Sequence, residues 1–117
     1  MKRDVILFLD DILHMIEVVE TTLNDKARID FDNDFMMQLG IQRAIEIISE
    51  ASRHIPVFLT EQAPQIPWKS IRGMGNILRH EYHQVADDII WGVIQQDLPP
   101  LKAAIKTFRS QIPEAGI

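Results

Sequence analysis

Cysteine is absent from all 117 residues, which excludes a disulfide framework, a thiol nucleophile and any cysteine-ligated zinc or iron-sulfur site. That absence fits a reducing compartment, and a cytoplasmic location is expected. Long apolar runs are missing as well. Val5-Ile6-Leu7-Phe8-Leu9 is cut at Asp10 and Asp11, far short of a secretion signal core or a membrane span, so a soluble protein without a membrane partner is expected. No stretch alternates apolar and polar residues for long enough to read as a strand, and there is neither an internal repeat nor a Gly/Ser linker. The catalytic signatures of several enzyme classes are lacking: no glycine-rich loop after a strand, no Walker sequence, no Gly-x-Ser-x-Gly elbow and no His-Glu-x-x-His. Nucleotide hydrolysis, serine hydrolysis and zincin chemistry therefore have no support.

What is present is ordinary globular material, 46% apolar and 25% charged, at the usual length of one domain, so residues 1-117 are expected to form one unit. Net charge is -5, unevenly spread. Residues 1-50 hold eleven Asp/Glu against five Lys/Arg, and residues 51-117 hold six against seven. From Arg53 to His83 the basic types Arg53, His54, Lys69, Arg72, Arg79, His80 and His83 face only Glu61 and Glu81. The segment is either a local anion site or a solvated face with scattered bases.

Val5, Leu9, Ile12, Ile16, Val19 and Leu23 recur at spacings of three and four, the stripe of a long amphipathic helix. Asn24 to Asp34 reads as a polar connection in which Asp30, Asp32 or Asn33 caps the next helix. Phe35 to Arg53 is apolar over more than one face and should be the buried central helix. Pro56 suits a short helix through Glu61, and Pro64 and Pro67 an extended connection to Trp68. From Trp68 the helical period resumes to about Tyr82, despite Gly73 and Gly75, each of which weakens a helix by about 1 kcal/mol relative to Ala. Two glycines on one helix suggest close approach of another backbone, and so a dimer interface that includes this helix. Asp87-Asp88 is expected to cap a helix through Gln95, and Asp97 before Pro99-Pro100 to start a last helix ending near Ser110. The expected fold is all-α, an antiparallel bundle of four to six helices.

The densest set of reactive residues is Arg72, Asn76, Arg79, His80, Tyr82 and His83. At about 100° per residue, Asn76 and His80 share a helix face with Arg72 one turn further back, and Arg79 turns away. An imidazole that titrates near neutral pH and a guanidinium that binds phosphate are together sufficient for metal-free RNA cleavage. His80 and His83 with Glu81 also form a metal-cluster candidate, but they lie at successive helical angles, so no metal is expected. Trp68 and Trp91 are expected as core anchors, and no cofactor is indicated.

Ile45 to His54, then Ile66-Pro-Trp-Lys-Ser-Ile-Arg-Gly-Met-Gly-Asn-Ile-Leu-Arg-His-Glu-Tyr82, then Asp97-Leu-Pro-Pro-Leu101 resemble the HepT-like branch of the HEPN superfamily, in order and at family spacing. Arg3-Asp4 and Leu9-Asp-Asp-Ile12 extend the match over nearly the whole chain. The resemblance implies a helical homodimer that acts as the ribonuclease toxin of a toxin-antitoxin pair, partnered by a minimal nucleotidyltransferase antitoxin of the MntA type. The family signature is Arg, four residues, His, any residue, Tyr. Carried over, His80 serves cleavage and Tyr82 is the target of inactivating adenylylation, while Gly75 stands where the pattern has Arg. Arg72 or Arg79 is then the phosphate ligand and Asn76 an orienting amide. The departure at Gly75 also raises an alternative, a non-catalytic binding partner of the nucleotidyltransferase.

Overall fold

The computed structural model describes residues 2-113, Met1 and 114-117 lying outside it, as does the side chain of Arg3 that the resemblance includes. Every regular element among the described residues is helical. Helix α1 (Lys2–Thr22) buries Ile6, Leu9, Ile12, Ile16 and Val19 and turns its acids outward, as its period requires. It ends in a turn at Asp25, whose φ of 61° is one that Asp tolerates better than most residues.

The polar connection contains a short helix, α2 (Arg28–Asp32), which periodicity did not predict. The Asp30 carboxylate accepts from Ala27 N at 2.8 Å, and Phe31 is fully buried as its anchor. None of Asp30, Asp32 and Asn33 caps the next helix; Asp34 does, accepting from Met37 N at 2.9 Å. Helix α3 (Phe35–Ser52) is the buried centre and packs on α1, α2 and α5.

After α4 (Val57–Thr60) the chain is not extended, as the two prolines suggested, but folds through successive turns: Ala63 N donates to Thr60 O, Ile66 N to Ala63 O and Trp68 N to Ile66 O. The buried indole of Trp68 supports them by donating to Ala63 O at 3.0 Å and stacking on Phe108. Helix α5 (Trp68–His80) buries Trp68, Ile71, Met74, Gly75 and Leu78. It stops at His80, two residues before the expected end, because Glu81 and Tyr82 take extended backbone angles.

Helix α6 (His83–Gly92) starts before Asp87 and Asp88, which lie inside it rather than at its cap. It runs without a break through a π-helical turn, Val93–Asp97, into α7 (Leu98–Ser110). Pro99 and Pro100 offer no N–H to the carbonyls four residues back, so the α-helical ladder is interrupted there and the wider turn absorbs the gap. Asp97 therefore makes no side-chain cap bond. Helix α7 lies antiparallel on α1, with Arg109 Nε donating to Asp10 Oδ1 at 2.9 Å and Lys102 Nζ to Glu20 Oε1 at 2.8 Å. Among the described residues no helix is long and apolar enough to cross a membrane.

Of the two glycines on α5, only Gly75 serves close approach, and the backbone it meets is α3 of the same chain. A Cβ there would lie 3.2 Å from both Cβ and Oγ of Ser49, whereas one at Gly73 would meet nothing within 4 Å. The close approach thus explains itself without a second copy.

Two predictions follow from these packings. Gly73→Ala should stabilise by about 0.5–1 kcal/mol through helix propensity, while Gly75→Ala should destabilise by about 1 kcal/mol, overpacking outweighing propensity; Gly75→Arg should cost more still, in urea titrations of all three. Burial lifts the Asp97 carboxyl above its ordinary range, so its ionisation opposes folding once the pH rises above the unfolded value of about 3.9. Asp97→Asn should therefore raise the melting temperature at pH 7, and the gain should disappear by about pH 3.5.

Candidate active site

The reactive residues of α5 fall into two groups. Asn76 and His80 are exposed one turn apart, and Tyr82 follows in the extended link, 87% exposed. None of the three makes a side-chain hydrogen bond or ion pair with a described residue, so their polar groups are available to a ligand.

The two arginines are differently placed. Arg72 is half-buried, and its Nε is enclosed without an acceptor among the described residues. Its backbone carbonyl accepts from Ser49 Oγ at 3.0 Å, and the same hydroxyl accepts from Gly75 N at 3.2 Å. Arg79 is turned away from His80, as its helical angle predicts, and its Nη1 lies 3.8 Å from Glu46 Oε1. Arg43 approaches that same oxygen at 3.5 Å, and Gln42 Nε2 donates to the other at 3.1 Å. Glu46 is thus a largely buried carboxylate between two guanidiniums. They share a cavity of about 310 Å³ with Phe8, Asp11 and His54, where His54 stacks on Phe8 and lies 3.5 Å from Glu50.

A larger cavity, about 580 Å³, opens between α2, α3 and the start of α6 and is lined by Arg28, Asp32, Phe35, Gln38, His83 and Asp87 among others. Here His83 meets Gln38 and Asp87, a grouping that the sequence reading missed. Its signal was a glutamine on the buried stripe of α3: Gln38 falls in period with Ile41, Ile45, Ile48 and Ser52. The Asp87 carboxyl is raised above its ordinary range, by burial first, with Asp32 and Asp88 adding to the effect and His83 and Arg28 opposing it. Arg28 is held by Asp32 at 2.9 Å and Asp88 at 2.5 Å and lies over the half-buried Trp91 ring. Among the described residues no three His, Asp or Glu side chains group as metal ligands would.

The fold is all-helical among the described residues, and the His-x-Tyr on which the sequence resemblance rests lies exposed at the end of α5. The model of the family described as Ribonuclease HepT-like matches residues 12–108, and the chain belongs to that family. It is 37% identical over 105 residues to "Putative RNase MJ1380" of Methanocaldococcus jannaschii, covering 90% of this chain and 96% of the relative. It is 35% identical over 109 residues to "Probable ribonuclease HepT" of Thermococcus cleftensis, covering 93% and 99%. A third relative, "Putative RNase TTE0752" of Caldanaerobacter subterraneus, is 33% identical over 99 residues, covering 85% and 88%. No solved structure matches.

The different settings of the arginines predict different consequences. Arg79→Ala should change stability by no more than about 0.5 kcal/mol, since its pair with Glu46 is long and the side chain is half exposed. It should weaken RNA association and lower the salt slope by about one. Arg72→Ala should lower the melting temperature instead, because it removes packed methylenes.

Proposed function

We propose that the chain is a metal-independent endoribonuclease, the toxin of a toxin-antitoxin pair, and that His80 carries its proton transfer. The observation that carries this reading is the unengaged set Asn76, His80 and Tyr82 at the end of α5 in a chain of the ribonuclease HepT-like family. Cleavage without a metal needs a group that moves protons near pH 7 and a cation for the phosphate. His80 meets the first need. Arg79, on the exposed side of α5, meets the second by exchanging Glu46 for phosphate, and Arg72 is the other candidate; Asn76 orients the phosphate by its amide. A homodimer brings a second copy of each group.

Regulation by a minimal nucleotidyltransferase antitoxin falls on Tyr82. Its exposure suits adenylylation, which places a phosphate and a base beside His80 and blocks RNA by charge and bulk. Gly75 supports a second reading, a non-catalytic partner of the nucleotidyltransferase: no guanidinium stands at the family's position, and Arg79 is tied to Glu46.

Cleavage of purified RNA in EDTA separates the two. The enzyme reading expects His80→Ala to lower the rate by about 10²–10⁴-fold; a wild type that cleaves no RNA tested supports the binding partner. Mass spectrometry after co-expression with the nucleotidyltransferase should show an added AMP in the wild type and none in Tyr82→Phe.

A further inference from the structure

Five polar side chains are buried among the described residues: Gln38, Ser49, Ser52, Thr60 and Asp87. The three hydroxyls bond nearby carbonyls. The other two come from different helices and converge on one imidazole. Gln38 Oε1 lies 2.7 Å from His83 Nε2, and Asp87 Oδ2 lies 3.5 Å from the same nitrogen. Burial of an amide is costly unless its partners are fixed, and the buried Gln38 gives its acceptor to a side chain that is itself 52% exposed, with the Asp87 carboxyl, whose Oδ1 has no partner among the described residues, beside it.

The direction of the bond follows from the other end of the amide. Gln38 Nε2 donates to Phe31 O at 2.8 Å and to Asp32 O at 3.0 Å. Its remaining atom is therefore the oxygen, an acceptor, and His83 Nε2 must carry the proton. In the neutral ring the lone pair then sits on Nδ1, which no described residue bonds. Phe35 fixes the ring further by an edge contact at 5.1 Å. His83 is three residues beyond His80, so their Cα atoms are at most about 11 Å apart.

We propose that His83 is the general base of the ribonuclease reaction, with Gln38 and Asp87 as its positioning residues; this rests on the ribonuclease reading above. Nδ1 takes the proton of the ribose 2′-hydroxyl, O2′ forms a bond to phosphorus, and the bond from phosphorus to O5′ breaks. His80, as the imidazolium, gives its proton to O5′. The products are a 2′,3′-cyclic phosphate and a 5′-hydroxyl, and water returns both imidazoles to their starting states. Asp87 Oδ2 stands 3.5 Å from the Nε2 that keeps its proton throughout.

The test uses a short RNA with one cleavable linkage, and the same RNA with sulfur replacing the bridging O5′, a leaving group that needs no proton. Both are assayed in EDTA. His83→Ala should lower kcat by about 100-fold or more with KM changed no more than a few-fold, and imidazole in the buffer should restore part of the rate. The sulfur substrate should restore cleavage to His80→Ala and not to His83→Ala. Gln38→Ala, which leaves the imidazole present but unheld, should lower kcat about tenfold. Wild-type kinetics in His83→Ala, or its restoration by the sulfur substrate, overturns the assignment while the ribonuclease reading stands. So does a loss in His83→Ala that imidazole does not relieve and that is accompanied by lost helicity. A wild type that cleaves neither substrate overturns the ribonuclease reading and this assignment with it.

Discussion

The contact between Ser49 of α3 and Gly75 of α5 is the constraint on which the rest of the site depends. One hydroxyl donates to Arg72 O and accepts from Gly75 N, and a Cβ at 75 would press on that same hydroxyl at 3.2 Å. With the two helices that close, Ile71, Met74 and Leu78 enter the same core as Ile41, Ile45 and Ile48, and the opposite face of α5 is left to display Asn76 and His80. The contact has a second effect. The position that the family pattern gives to arginine lies here against Ser49 of α3, and under the ribonuclease reading the guanidinium for phosphate is then Arg72 or Arg79.

Charge pairing limits where that can be. Arg28, Lys102 and Arg109 are engaged by Asp32, Asp88, Glu20 and Asp10, and Arg43 and Arg79 share Glu46. The net charge of -5 gives the chain as a whole no long-range attraction for a polyanion. Under the ribonuclease reading, local contacts then carry the affinity for RNA. For Arg79 the relevant comparison is between a phosphate and Glu46. At 3.8 Å the existing pair is longer than a good charge-assisted hydrogen bond, so exchanging it forfeits little.

Periodicity made α1 and α5 legible, because each buries a stripe of apolar residues at spacings of three and four; α3 was legible as a run apolar over more than one face, and α7 from its prolines. The all-helical class followed from those patterns, and the family from the resemblance of the motifs in their order. Local chemistry of similar strength at neighbouring residues was not legible. Asp30, Asp32, Asn33 and Asp34 are all competent caps, and only the geometry of α2 decides that Asp30 closes one helix and Asp34 the next. Asp87 and Asp88 likewise read as caps but belong to the interior of α6. The His83 cluster depends on Gln38 of α3 meeting His83 and Asp87 of α6, and no spacing along the chain reveals that two helices meet there. Gln38, polar in a buried period, was its one visible trace.

The break between α5 and α6 shows how much of the site is made by interruption rather than by regular structure. Ile71, Met74 and Leu78 are buried at spacings of three and four, and a helix continued at that period would carry Tyr82 onto the same inward stripe. An aromatic residue there would be drawn into the core with its hydroxyl seeking a partner. Extended angles at Glu81 and Tyr82 end the stripe instead, leaving Tyr82 87% exposed and restarting the chain so that His83 opens a new helix over the cavity. His80 and His83 therefore stand on two helices with independent supports, the first placed by the α3–α5 contact and the second by Gln38 and Asp87. Neither imidazole's setting follows from the periodicity of the other's helix, which is why the motif had to be read in three dimensions before roles could be divided within it.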